Sequence, residues 1–263
     1  MARVNSIKLY EGPSNWDGKT RIFVVLTGLA KKSANTKTGD MLQTWILLKD
    51  TEPHLAIKTG ADSPICGNCE LRPFHYKAKG RDKPCYVTVH QAPLSVYRAH
   101  KDKPVTSPEV ARAMVAGRLV RRGSYGDPGM VPLHVWENLE ESEGTGYSRQ
   151  WEANPGLASH VMASVQSETE RDHARSLGFR TFRIIRDVSE VGAGEVLCPA
   201  SKEAGALVQC AKCNLCNGSK AIRVLSKRED VYDFNALGRV EGVDYVIDWG
   251  PEGKRKSVAI VAH

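Results

Sequence analysis

Short apolar runs rich in β-forming residues open the chain. Ile22 to Thr27 (IFVVLT) and Thr44 to Leu48 (TWILL) predict strands. Between them lies the polar, turn-rich GLAKKSANTKTGDMLQ, so residues 1–60 are expected to be β-rich. The pattern then breaks. Residues 60–85 (GADSPICGNCELRPFHYKAKGRDKPC) are irregular and hold little that could form a core; a bound metal would keep such a stretch ordered. From residue 107 apolar and polar blocks alternate. Ser107 as N-cap and Pro108 at the first helical position start a helix. Val110, Ala113 and Met114 make its apolar side, and Gly117 stops it. Arg118 to Arg122 reads as a strand, followed by the loop GSYGDPG and by a helix with the apolar stripe Val131, Val135, Trp136 and Leu139.

The next unit is the clearest. His160 to Val165 predicts a strand, Ser167 and Glu170 form a capping-box pair, Gly178 closes the helix, and Phe179 to Ile185 predicts a second strand. A βαβ unit of this kind makes its two strands parallel. Glu195 to Leu197 is a further short strand ending at Cys198. Ala221 to Leu225 and Ser257 to Ala262 are expected as strands, and the stretch from Asp230 to Val246 as a helix plus a turn. Alternating β and α elements imply an α/β layer. The expected fold is a partial (β/α) barrel-like or open α/β sheet with a β-rich N-terminal segment and two cysteine-ligated metal centres. Its divisions are a β-rich segment (1–60), the first cysteine cluster and connection (61–106), a β/α core (107–200), and the second cysteine cluster with C-terminal strands (201–263). Ligands of such folds gather at the carboxyl ends of strands. GSYGDP, GYSRQW, SVQS and CPAS fall at those ends.

Chemistry enters with the cysteines. All seven lie in two short windows, Cys66-x2-Cys69-x15-Cys85 and Cys198-x11-Cys210-x2-Cys213-x2-Cys216. An odd count leaves one unpaired in any disulfide scheme, and the clustering points to metal. Four thiolates complete a tetrahedral zinc site or hold an iron–sulfur cluster. The first window supplies only three. Either His75 or His90 is the fourth ligand of a zinc site, or a four-iron cluster keeps one iron open. The net charge of +7 and pI of about 9.0 permit nucleic-acid contact, with basic residues spread along the chain. The N-terminus lacks a signal-type apolar core and no apolar run of about 18 residues occurs, so a cytoplasmic protein without membrane contact is expected. No Ser-His-Asp order and no phosphate-binding G-x4-GK[ST] loop is present, which leaves hydrolase and nucleotide-triphosphatase readings without a motif.

Taken in order, Asn35-Thr36-Lys37-Thr38-Gly39, Cys85-Tyr86, GSYGDP, GYSRQW, Cys198-Pro199, the C-x2-C-x2-C run and the terminal strand ending at His263 resemble proteins encoded by bacteriophages and other mobile elements. That group is distantly similar to radical S-adenosylmethionine enzymes. The resemblance implies a four-iron cluster on Cys66, Cys69 and Cys85, flanked by Tyr86. It implies cofactor contacts from Gly123, Ser124, Gly126 and Asp127, a later strand-end position for Ser164, and an auxiliary cluster on Cys198, Cys210, Cys213 and Cys216. It implies a phage-infected bacterial cytoplasm as the setting, and it identifies no catalytic side chain. The strand count after the first cysteines falls short of a six-strand partial barrel. The competing expectation is a zinc-stabilised, basic nucleic-acid-binding protein acting in phage DNA replication or host takeover.

Overall fold

The computed structural model describes residues 4–31, 33, 35–78, 85, 87–140, 142–205, 208–219, 232–233, 238–239 and 257–261. Tyr86, the strand expected at Ala221 to Leu225 and most of the stretch from Asp230 to Val246 lie outside them. The chain is mixed α/β, built on a nine-stranded, mostly parallel sheet. Three strands come first: β1 (Ser6–Pro13), β2 (Arg21–Thr27) and β3 (Leu42–Leu48), each antiparallel to the next. β2 is central among them. Its run Ile22 to Leu26 is wholly buried, as expected of an unbroken apolar strand covered on both sides. β1 carries an ion-pair cluster. Lys8 Nζ donates to Glu11 at 2.6 Å and lies 5.0 Å from the centre of the Phe23 ring. Burial pushes the Glu11 carboxyl up, but bonds from Lys8, Arg21 and Lys49 outweigh it and hold the group down at about 2.

The segment expected to be β-rich ends in a helix, α1 (Pro53–Thr59), and the one expected to be irregular forms the short helices α2 (Ser63–Cys66) and α3 (Pro73–Ala78). One guanidinium organises it. Arg72 donates to Asp62 at 2.6 Å, to the Gly60 carbonyl at 2.8 Å and to the Gly67 carbonyl at 3.0 Å, and both charged side chains are buried. After α4 (Ala92–His100) comes α5 (Pro108–Val115), where Ser107 Oγ accepts from the Val110 amide. Its buried side is Ala111 and Val115, whereas Val110 and Met114 are 47% and 38% exposed. The expected face was therefore rotated. In so short a helix the entry fixes the rotation, and the Thr106 amide is bonded to the Lys8 carbonyl of β1 at 2.8 Å.

From β3 onward every pairing in the large sheet is parallel. β4 (Val120–Tyr125) lies beside β3, and α6 (Leu133–Glu137) leads to β5 (Gly144–Ser148). β6 (Met162–Val165), α7 (Glu168–Ser176) and β7 (Thr181–Ile185) form the expected parallel βαβ unit. Ser167 Oγ accepts from the Glu170 amide at 3.1 Å. The Glu170 carboxylate bonds the Gln166 amide at 2.7 Å instead of closing the box on Ser167, because Arg149 also draws it. β8 (Glu195–Leu197) follows, then α8 (Cys210–Cys213). Tyr232–Asp233 (β9) and Gly238–Arg239 (β10) pair as a two-strand ladder, so this part of the expected helix is extended. β11 (Ser257–Val261) inserts between β7 and β8. The sheet order is β1-β2-β3-β4-β5-β6-β7-β11-β8. Among the described residues six parallel strands thus follow the first cysteines, and the last of them, β11, reaches its place between β7 and β8 from the far end of the chain.

The two faces of the parallel part differ. Ala163 and Val165 pack with Trp136, Leu139, Ala174 and Phe179 in the main core. The opposite face presents Met162, Val196 and Val258, with Tyr147 and Phe182, to Cys198, Cys213, Leu215 and Cys216. Arg183 on the first of these faces reaches past β11 to a buried bidentate pair with Glu195 of β8, the shortest contact being 2.6 Å. Among the described residues no helix is long and apolar enough to cross a membrane.

Candidate functional site

The carboxyl ends of β3 to β6 are tied to one another by a chain of hydrogen bonds. After β3, Cys66 closes α2, and the Gly67 turn leads to Cys69. The β4 end packs directly on this turn. The Asp127 amide donates to the Ile65 carbonyl at 2.7 Å, and a Cβ on Gly126 (φ +82°) would sit 2.6 Å from Ile46 Cβ and 3.1 Å from the Ile65 oxygen. Only glycine permits that approach. Gln150, just past β5, donates to Asn68 Oδ1 at 2.8 Å and fills the space that a side chain at Gly67 would need.

Asp127 joins the β4 and β5 ends. Its Oδ1 accepts from Ser148 Oγ at 2.6 Å and from the Gly129 amide at 2.8 Å, and its Oδ2 accepts from the Arg149 amide at 2.6 Å. Burial raises its pKa despite these bonds. Arg149 continues the chain by donating to the Ser164 carbonyl at the end of β6, at 2.7 Å. Ser124 Oγ bonds Gln43 Oε1 at 2.6 Å, and the Gly123 amide (φ +76°) bonds Thr44 Oγ1 at 2.9 Å. Gly126, Asp127 and Ser164 therefore belong to one rim beside the Cys66 turn, while Gly123 and Ser124 precede it in β4, bonded to Thr44 and Gln43 of β3. Arg122 is not an ion-pair partner of that loop's acid; it donates to the Leu139 and Ser142 carbonyls.

Cys66, Cys69 and Cys85 are electrostatic neighbours. Burial pushes the Cys66 thiol well up, and Asp62, Cys69 and Cys85 push it further. Burial also lifts Cys69, to about 11. His75 meets Phe74 edge-on and His90 is exposed. Among the described residues, no three His, Cys, Asp or Glu side chains converge closely enough to hold a single metal ion.

The second set is held from several sides. The amides of Cys210 and Ala211 donate to the Lys37 and Thr38 carbonyls at 2.9 and 3.0 Å. The motif Asn35 to Gly39 is thus a dock for α8, its turn closed by Asn35 Oδ1 accepting from the Lys37 and Thr38 amides. Asn217 Oδ1 accepts from the Gly144 amide, and the Gly146 amide bonds the Cys216 carbonyl. Cys198 leaves β8 with its amide on Ala259 of β11 at 2.8 Å. Burial raises Cys216 most, followed by Cys198; Cys213 and Cys210 add to it, and a hydrogen bond from Tyr147 works against it.

A thiol withdrawn from water ionises readily only beside positive charge, so the half-buried Cys66, Cys69, Cys85 and Cys210 and the buried Cys198, Cys213 and Cys216 suit a positively charged centre chemically. Sequence reasoning missed Arg149, Gln150 and Arg72. The first two sit inside GYSRQW, which was the available signal; Arg72 carried none. Fold and site together define a mixed α/β protein with one cysteine group at a strand-end rim and another packed on a sheet face. A scan against family models and searches of curated proteins and of solved structures find no match.

Proposed function

We propose that this chain is an iron–sulfur protein of the radical S-adenosylmethionine-like kind, with an open cluster on Cys66, Cys69 and Cys85 and a closed one on Cys198, Cys210, Cys213 and Cys216. One observation carries the reading: the turn that bears Cys66 packs against the glycine loop that ends β4, with Cys69 and Cys85 near enough to act on the Cys66 thiol. Three thiolates satisfy three irons of a four-iron cluster and leave the fourth for an outside ligand, whereas four close the second centre. Such a cluster supplies a single electron when bound. In this reading the parallel strands are a partial (β/α) barrel. Its support is the neighbour order β3 to β7, which follows the chain without the reversal of a doubly wound sheet.

The rim and the β4 residues before it then divide by role. The backbone at Gly123 and Gly126, the Ser124 hydroxyl and Ser164 border the ligand of the open iron. Asp127 holds the rim in place through the bonds it accepts. Protein purified without oxygen should be brown and carry about eight irons per chain. A colourless chain carrying two zincs would overturn the proposal and leave the basic, zinc-stabilised nucleic-acid protein in its place, testable by salt-sensitive binding.

A further inference from the structure

Tyr125 ends β4 one residue before the glycine that packs on the Cys66 turn. It is 3% exposed, and its hydroxyl has no hydrogen-bond partner among the described residues. A buried phenol normally finds a partner, since an unmade bond leaves its desolvation uncompensated. The groups that bear on it electrostatically are Cys66, Asp62 and Cys85 against, and Arg72 in favour of, its ionised form. The orphan hydroxyl therefore lies within electrostatic reach of Cys66 and Cys85, next to the glycine that packs on the Ile65 carbonyl. Arg72 and Asp62 are already engaged with each other.

The second centre shows the arrangement completed. Tyr147, on the neighbouring strand β5, stacks on Phe182 with ring centres 4.2 Å apart, and its hydroxyl bonds the Cys216 sulfur. Each cysteine group thus has one tyrosine near it; one donates to sulfur, and the other finds no acceptor among the described residues.

We propose that Tyr125 is the hydrogen-bond donor of the first centre, its buried O–H directed at a metal-bound sulfur among Cys66, Cys69 and Cys85. The inference rests on the iron–sulfur reading above. A donor to a cluster sulfur stabilises the reduced, more electron-rich state and raises the reduction potential. Tyr125 is a tuning residue and takes no part in bond making.

The test is Y125F in the full, iron-loaded chain, with Y147F as its counterpart. Iron content and the two midpoint potentials are read in the same anaerobic titration, followed by electron paramagnetic resonance. Y125F should fold, keep its iron and shift one potential to a more negative value. Y147F should shift the other. Unchanged potentials in an iron-replete Y125F overturn the inference alone. So does a Y125F that loses its iron or fails to fold, because the hydroxyl would then be serving the protein and not tuning the sulfur. A wild-type chain without iron overturns the iron–sulfur reading and this inference together.

Discussion

At the scale of single residues, the candidate site depends on acceptors more than on the cysteines. Asp127 was legible as a candidate because Gly-Asp-Pro-Gly stands out, but its role was not. The structure turns both carboxylate oxygens onto protein donors: Ser148, Gly129 and Arg149. Removing the carboxylate strands two amides in a buried place, at about 1–3 kcal/mol for each unsatisfied group. The raised pKa offsets part of that loss, since the charge is itself costly to bury. Asp127→Ala should lower unfolding stability by about 2–4 kcal/mol in urea denaturation. A loss under about 0.5 kcal/mol, the usual size for an unconstrained surface change, would show that the clamp does not hold the rim. Tyr125 and Tyr147 belong to this scale too. Nothing in the order of residues marks a tyrosine as facing sulfur; side-chain direction depends on where the strand sits in its sheet.

At the scale of elements, most strands were legible, whereas β1 and the cysteine segment were not. β2, β3, β6, β7 and β8 fall where apolar runs and turn residues put them, because these signals are local. The stretch from residue 60 to 85 has no periodicity, and its helices α2 and α3 are each only a few residues long. Their order comes from a charge pair between Arg72 and Asp62, ten residues apart, whose meeting no periodicity of the sequence displays. Breaking a buried pair by removing one partner is costly, about 3–5 kcal/mol, because the other charge stays buried alone. Arg72→Met should therefore destabilise the cysteine turn. Hydrogen exchange should show residues 62–69 opening, and the double variant Asp62→Asn, Arg72→Met should recover part of the loss. Equal exchange in the single variant and the wild type would refute this role. The rotated face of α5 has a similar cause: Val110 and Met114 were as good a stripe as Ala111 and Val115 until β1 fixed the helix entry.

At the scale of the whole molecule, the last described strand closes the sheet. β11 lies between β7 and β8, and among the described residues β8 has no other partner in the large sheet. Cys198 follows β8 directly, and its amide bonds the Ala259 carbonyl of β11. Deleting residues 257–263 should release β8 and open Cys198 to alkylation while β1 to β3 keep their exchange protection. A truncated chain whose Cys198 reacts no faster than in the intact protein would show that β8 is held by other means. The residue pattern was sufficient for the alternation of strand and helix, for the parallel βαβ unit, and for the grouping of cysteines into three and four. These follow from periodicity and spacing, which act over a few residues. Neither the insertion of β11 next to β7, nor the dock of α8 on residues 37 and 38, nor the meeting of Cys66 with the β4 loop could be read that way. Each joins segments far apart in the chain, and their pairing is set by which faces remain to be buried once the sheet has formed.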